Sequence, residues 1–191
     1  AQLIEDLKNL FDSFIQGIAT AIDEKSPYTG GHIRRVTELT MLIAEKINET
    51  NEGKFANVQL AEEELEELRI AAWLHDVGKI KIPLEILNKD GSFTQDEFEI
   101  MKQHPVFGRD YLVKQPNMIA EAIDTAYGHH EKIDGSGYPN RLTGENIPLG
   151  AKIIAVADFF SGFIAGGRWY AGAPPTIMVA SGSSVSPCSR T

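Results

Sequence analysis

Residues 65–79 read Leu65-Glu66-Glu67-Leu68-Arg69-Ile70-Ala71-Ala72-Trp73-Leu74-His75-Asp76-Val77-Gly78-Lys79. Leu65, Leu68 and Ala72 recur at spacings of three and four, which aligns side chains on one face of an α-helix. His75 comes three residues after Ala72, so an imidazole emerges at the inward end of a buried face. A carboxylate, Asp76, stands next to it and an ammonium, Lys79, one turn on. Ionisable groups in such a place carry a large desolvation cost unless they are paired or hold a metal.

The same design repeats in both directions along the chain. Leu3, Leu7, Leu10, Phe11, Phe14, Ile18 and Ile22 mark one face of a long amphipathic helix, broken by Ser26, Pro27 and Tyr28. A second helix is expected from Thr29, with Ile33, Val36, Leu39, Ile43 and Ile47 as its buried stripe and His32 one turn before Val36. The polar stretch from Asn51 to Gln59 reads as a loop, and the next helix starts near Ala61. Thr94 with Glu97 forms a capping box for a short helix that His104 closes, and Pro105 opens the next. Ile119, Ala122, Ile123 and Ala126 lead to the adjacent pair His129 and His130. After a long loop, 131–146, Ile153, Ile154 and Ala157 deliver Asp158 in the same manner. Strand-period alternation and internal repeats are lacking, so the fold class is all-α, a helical bundle.

The 191 residues suffice for one well-buried domain. A formal charge of −9 disfavours a long nucleic-acid partner, which would call for a basic stripe. A single cysteine, Cys188, rules out a disulfide framework and a thiolate metal site. No apolar run approaches the roughly 20 residues that span a bilayer, and the first residues lack a signal core. The chain starts at Ala1 without Met, as expected of a processed protein or an excised piece. From Gly162 the composition shifts, and 173–191 is rich in Ser, Gly and Pro, read as a poorly structured or foreign tail.

All five histidines, His32, His75, His104, His129 and His130, sit at helix faces of this kind, with Asp76 and Asp158 beside them. Imidazoles with carboxylates and no sulfur suit iron or manganese, with zinc still compatible. Asp76 is the candidate bridging ligand, holding two ions about 3.5 to 4 Å apart so that a water becomes a hydroxide nucleophile for phosphate-ester hydrolysis. Lys79 would then meet the charge gathering on phosphoryl oxygens. Neighbours on a helix diverge by about 100°. His129 and His130 can therefore both serve only if the cluster lies between their directions.

Four segments together resemble the HD-GYP domain family: 28–36 with His32, 74–83 with His75-Asp76-Val77-Gly78-Lys79, 104–108 with His104-Pro105, and 129–139 with His129-His130-Glu131 and Gly137-Tyr138-Pro139. The resemblance covers about residues 10–160. It implies a bacterial, cytoplasmic, metal-dependent phosphodiesterase that hydrolyses cyclic di-GMP to the linear dinucleotide and onward to GMP. It further implies His32, His75, Asp76, His104, His129, His130 and Asp158 as metal ligands, Lys79 beside the substrate phosphate and Tyr138 at the substrate pocket. The Gly-Tyr-Pro loop would shape the pocket or contact partner proteins.

Tyr28 stands where members with a third metal carry glutamate, which implies two ions here. Other departures cluster at the end of the chain. Ser161 replaces a second aspartate, Arg168 is displaced by one position from a substrate-binding arginine, Trp169 stands in place of proline, and the last helices are missing. The domain is accordingly read as 28–172, divergent or truncated at its C-terminus. Residues 1–27 are either the first bundle helix or the end of a linker from an upstream sensory domain. Two other readings stand beside the phosphodiesterase: a catalytically silent HD-GYP regulatory module, and another nucleotide phosphohydrolase of the HD superfamily.

Overall fold

Glu62, Glu63 and Glu64 occupy the first turn of the helix that carries the opening motif. Negative charge complements the positive end of the helix dipole there, and Glu64 Oε2 accepts from the Ala61 amide at 2.7 Å. The computed structural model describes residues 2–25, 31–115 and 118–164, and this helix is the third of eight α-helices among them. In chain order they are α1 (Gln2–Asp23), α2 (His32–Glu49), α3 (Glu62–Leu74), α4 (Leu84–Leu87), α5 (Gln95–Met101), α6 (His104–Leu112), α7 (Ala120–Tyr127) and α8 (Leu149–Ile164). No strand occurs among the described residues; a lone bridge pairs Asp134 with Thr143. The all-α expectation holds.

α2 packs against both α3 and α8, while α7 lies across α3, α6 and α8. Their facing residues, among them Val36, Ala44, Leu68, Ala72, Ile123, Ile153 and Ile154, form one continuous apolar core. A smaller cluster of Ile82, Ile86, Leu87 and Met101 seats α4 and α5. The 3₁₀ turn Val77–Lys81 lies on α6. It approaches so closely that a Cβ on Gly78 would stand 1.9 Å from the His104 carbonyl oxygen. α5 begins with the expected capping box: Glu97 N donates to Thr94 Oγ1 at 3.3 Å, and Thr94 N donates to Glu97 Oε2 at 2.6 Å.

Three expectations need correction. The apolar stripe of α1 meets the core only at its C-terminal end, through Ile18 and Ile22. Ile15, Ala19 and Ile22 are buried, whereas Leu3, Leu7, Leu10, Phe11 and Phe14 are exposed. Burial follows where α1 touches α2 and α3, and spacing alone does not reveal how far along the helix that contact reaches. α2 starts at His32 because Gly31 turns the chain with a left-handed φ of 71°. Thr29, like Tyr28, lies outside the described residues. α5 ends at Met101, and His104 opens α6 instead of closing α5, with Pro105 in the first turn where its missing N–H costs nothing. Arg168 and the tail 173–191 also lie outside the described residues.

Candidate metal centre

Three histidines are set by one local device. His75 Nδ1 lies 2.7 Å from Ala72 O, His104 Nδ1 2.8 Å from Met101 O, and His129 Nδ1 2.6 Å from Ala126 O. Each acceptor is a last-turn carbonyl of α3, α5 or α7, a position that has no partner within its own helix. Donating Nδ1–H to it fixes the tautomer, so each Nε2 presents a lone pair to the interior. His32 is held differently. Its Nδ1 lies 3.0 Å from the hydroxyl of the fully buried Ser161, and Arg35 Nε donates to the same oxygen at 3.4 Å.

The bundle brings these nitrogens together with both carboxylates. His32 Nε2 is 3.0 Å from Asp158 Oδ1. Asp76 Oδ2 lies 3.4 Å from His75 Nε2 and Oδ1 lies 3.3 Å from His104 Nε2. His104 Nε2 is in turn 3.4 Å from His129 Nε2 and 3.2 Å from His130 Nε2. Three ligand groups result: His32 with His75 and Asp158, His75 with Asp76 and His129, and His104 with His129 and His130, the ligand atoms of each lying within 4.8 Å of one another. His75 and His129 each belong to two groups, which makes the whole one continuous cluster. His129 and His130 lie in the turn after α7, not within the helix, so the divergence of helical neighbours does not separate them; their rings are 4.0 Å apart.

The donor set fits divalent cations. His75 Nε2 and Asp76 Oδ1 are buried and lack hydrogen-bond partners among the described residues. A buried lone pair left in that condition costs about 1 to 3 kcal/mol. A cation ligated by these atoms would satisfy them with the unprotonated nitrogens and carboxylate oxygens that metals require. Lys79 Nζ donates to Asp76 Oδ2 at 2.5 Å, bringing an ammonium to the cluster's edge.

Electrostatics keeps three imidazoles neutral and both carboxylates charged, and acts in the opposite sense at His75. Burial lowers His104 to about 4 and His129 to about 3, and desolvation in the crevice lowers His130 as well. At His75 burial works against charge, but the adjacent Asp76 carboxylate outweighs it and raises the pKa. Burial alone would raise Asp76, yet Lys79, His75 and His104 hold it well below the usual carboxylate range; Asp158 is lowered against its own burial by His32 and His75.

A stability profile follows. The unfolded chain protonates its histidines near 6.5, while three native imidazoles resist down to lower pH, so each costs stability as pH falls below 6.5. His75 acts in the opposite sense, and the two aspartates lose their contribution only below about 3.8. In chelator-treated protein the melting temperature should therefore drop by roughly 10 °C between pH 7 and pH 5. Calorimetry giving a flat profile would contradict this charge distribution.

The loop after His130 is folded back onto it. Glu131, a buried carboxylate, accepts from the amides of Asn140 at 2.6 Å and Leu142 at 2.9 Å. Gly137 comes so close to the 130–132 backbone that a Cβ would lie 2.3 Å from the Lys132 nitrogen. The Tyr138 ring is thereby stacked on His130, with centroids 4.7 Å apart, and burial raises the pKa of its phenol. Tyr138 thus lies against the histidine cluster.

All seven expected metal ligands converge, together with Lys79; Arg168 falls outside the described residues. Sequence reasoning missed Glu131 as the loop's anchor, and it noted Ser161 only as a departure. The hydrogen bond between Ser161 Oγ and His32 Nδ1 gives a prediction: Ser161→Ala should weaken metal binding about 10- to 100-fold, as loss of an outer hydrogen bond to a ligand does, with little change in fold. Competition against a chromogenic chelator measures it, and unchanged affinity would count against the assignment.

Residues 18–179 match the family model described as HD domain. The chain is 40% identical over 148 residues to the cyclic di-GMP phosphodiesterase response regulator RpfG of Xanthomonas campestris pv. campestris, covering 77% of this chain and 36% of that protein. It is 37% identical over 159 residues to the 3'3'-cGAMP-specific phosphodiesterase 2 of Vibrio cholerae serotype O1, covering 83% and 28% respectively. To the cyclic di-GMP phosphodiesterase of Thermotoga maritima it is 36% identical over 165 residues, covering 84% and 42%. The chain thus spans about a third of the length of these relatives.

Proposed function

The chain belongs to the HD domain family, in its HD-GYP branch, and we propose that it hydrolyses a phosphodiester bond of cyclic di-GMP to the linear dinucleotide and onward to GMP. The observation that carries this reading is the single cluster formed by His32, His75, Asp76, His104, His129, His130 and Asp158, edged by the Lys79 ammonium. Two divalent ions, iron or manganese by their ligands, would supply a Lewis acid and a water acidic enough to attack at neutral pH. Asp76 would bridge them, since its two oxygens face histidines of different helices. Lys79 would neutralise charge on the phosphoryl oxygens in the transition state. Tyr138, braced on His130, offers an aromatic wall for the nucleotide, and Arg168 would add a second cation.

Among the described residues no helix is long and apolar enough to cross a membrane. A cytoplasmic location, an upstream sensory domain preceding α1, and protein partners at the Gly-Tyr-Pro loop complete the proposal. The named specificities of the relatives differ, so the test offers both cyclic di-GMP and 3'3'-cGAMP to manganese- or iron-loaded protein, with bound metal counted alongside. Turnover of cyclic di-GMP is expected, and Lys79→Met should keep the metal while losing about 100-fold in turnover. Bound metal with neither substrate cleaved would instead identify a silent binding module.

A further inference from the structure

α5 buries one residue, Met101, which joins Ile82, Ile86 and Leu87 in the smaller apolar cluster. Phe98 of the same helix is not part of that cluster and stays 41% exposed. Its contacts lie elsewhere. The Phe98 ring meets the Tyr138 ring at 84°, with centroids 6.5 Å apart, and Tyr138 in turn stacks on His130 at 4.7 Å. A large aromatic side chain left open to water is thus joined, through a single ring, to an imidazole of the metal cluster.

Lys102 fixes the setting of that side chain. Its Nζ lies over the Phe98 ring, 5.4 Å from the centroid, and donates to Glu99 Oε1 at 2.7 Å. The ammonium takes one face of the ring, so a flat ligand would stack on the other. Neither Phe98 nor Lys102 has a part in holding metal, and neither is needed to close the small core.

We propose that Phe98 is the stacking platform for one purine of a cyclic dinucleotide, an inference that rests on the phosphodiesterase reading above. The metal cluster and Lys79 deal with one phosphodiester group, a small part of a substrate that carries two bases on two riboses. The bases must lie beyond the ring of ligands, and His130, Tyr138 and Phe98 lead outward from a ligand to an exposed aromatic face. Stacking on such a face adds affinity without reading the identity of the base, because every base has a π-face. Phe98 therefore serves cyclic di-GMP and 3'3'-cGAMP alike.

Steady-state kinetics of the manganese-loaded chain with either dinucleotide tests the assignment. Phe98→Ala and Phe98→Leu should each raise KM about 10- to 100-fold with kcat and bound metal unchanged, whereas Phe98→Trp should keep KM at or below the parent value. Leucine separates two roles, since it still props Tyr138 but offers no π-face. A parent-like KM in Phe98→Leu overturns the proposal and leaves Phe98 a brace for Tyr138; an unchanged KM in Phe98→Ala overturns it as well. A second readout needs no turnover. In manganese-loaded Lys79→Met protein, the indole of an added Phe98→Trp should be quenched by cyclic di-GMP beyond any change in the native Trp73 and Trp169. Lack of that quenching also overturns the platform. Quenching in a protein whose Lys79 form cleaves neither dinucleotide would keep the platform and reject the phosphodiesterase reading instead.

Discussion

Asp76→Ala is expected to remove bound metal and phosphodiesterase activity together, with turnover down at least about 1,000-fold. The two Asp76 oxygens lie 3.4 Å and 3.3 Å from nitrogens on different structural elements, His75 at the end of α3 and His104 at the start of α6. Oδ1 is buried with no hydrogen-bond donor among the described residues, so a cation is the partner its position calls for. Truncation would leave the Lys79 ammonium beside a cluster of imidazoles with one anion fewer, which by itself disfavours dications. Because breaking a buried ion pair can cost about 3 to 5 kcal/mol, Asp76→Asn serves as the companion variant that keeps volume and a hydrogen-bond acceptor. Metal per chain, turnover and a melting curve are measured on both. A folded Asp76→Asn protein that holds two ions and turns over normally would show that another group bridges them.

The parts of this centre that could be read from sequence are those that follow helix periodicity. Ala72, Met101 and Ala126 each precede a histidine by three residues, and that spacing puts His75 and His129 at inward helix ends, whereas His104, expected to close α5, opens α6. Their role as carbonyl acceptors in a last helical turn was equally available, because every helix leaves such carbonyls without an internal partner. Contacts between distant segments were not available. Ser161 meets His32 across 129 residues, and no local pattern marks a serine as the partner of an imidazole. Glu131 was hidden for a similar reason: only the folded loop shows it receiving the Asn140 and Leu142 amides. In α1 periodicity marks a single stripe, and only its C-terminal members Ile18 and Ile22 pack onto the core, because α2 and α3 do not reach the earlier ones.

Gly78 has a task that only the folded chain reveals, the close crossing of the 3₁₀ turn over α6. Gly78→Ala should be among the most damaging single-methyl changes in the protein, lowering the melting temperature by roughly 10 °C or more and weakening metal binding with it. The added Cβ would lie 1.9 Å from the His104 carbonyl oxygen and 2.4 Å from the Gly108 nitrogen, and neither backbone atom can rotate aside. Relief requires the 3₁₀ turn Val77–Lys81 to lift away from α6. That movement separates Asp76 from His104, whose 3.3 Å approach joins two halves of the cluster. Gly108→Ala is the internal control at the same crossing. A Cβ there meets the Gly78 nitrogen and Val77 Cγ1 at an ordinary 3.4 Å, and alanine is favoured over glycine within a helix by about 1 kcal/mol. Gly108→Ala should thus melt at or above the temperature of the parent and keep its metal. Equal losses in the two variants would mean that the crossing tolerates no methyl on either side; equal tolerance would mean that the turn can lift without disturbing Asp76, and would remove the link drawn here between this glycine and the geometry of the centre.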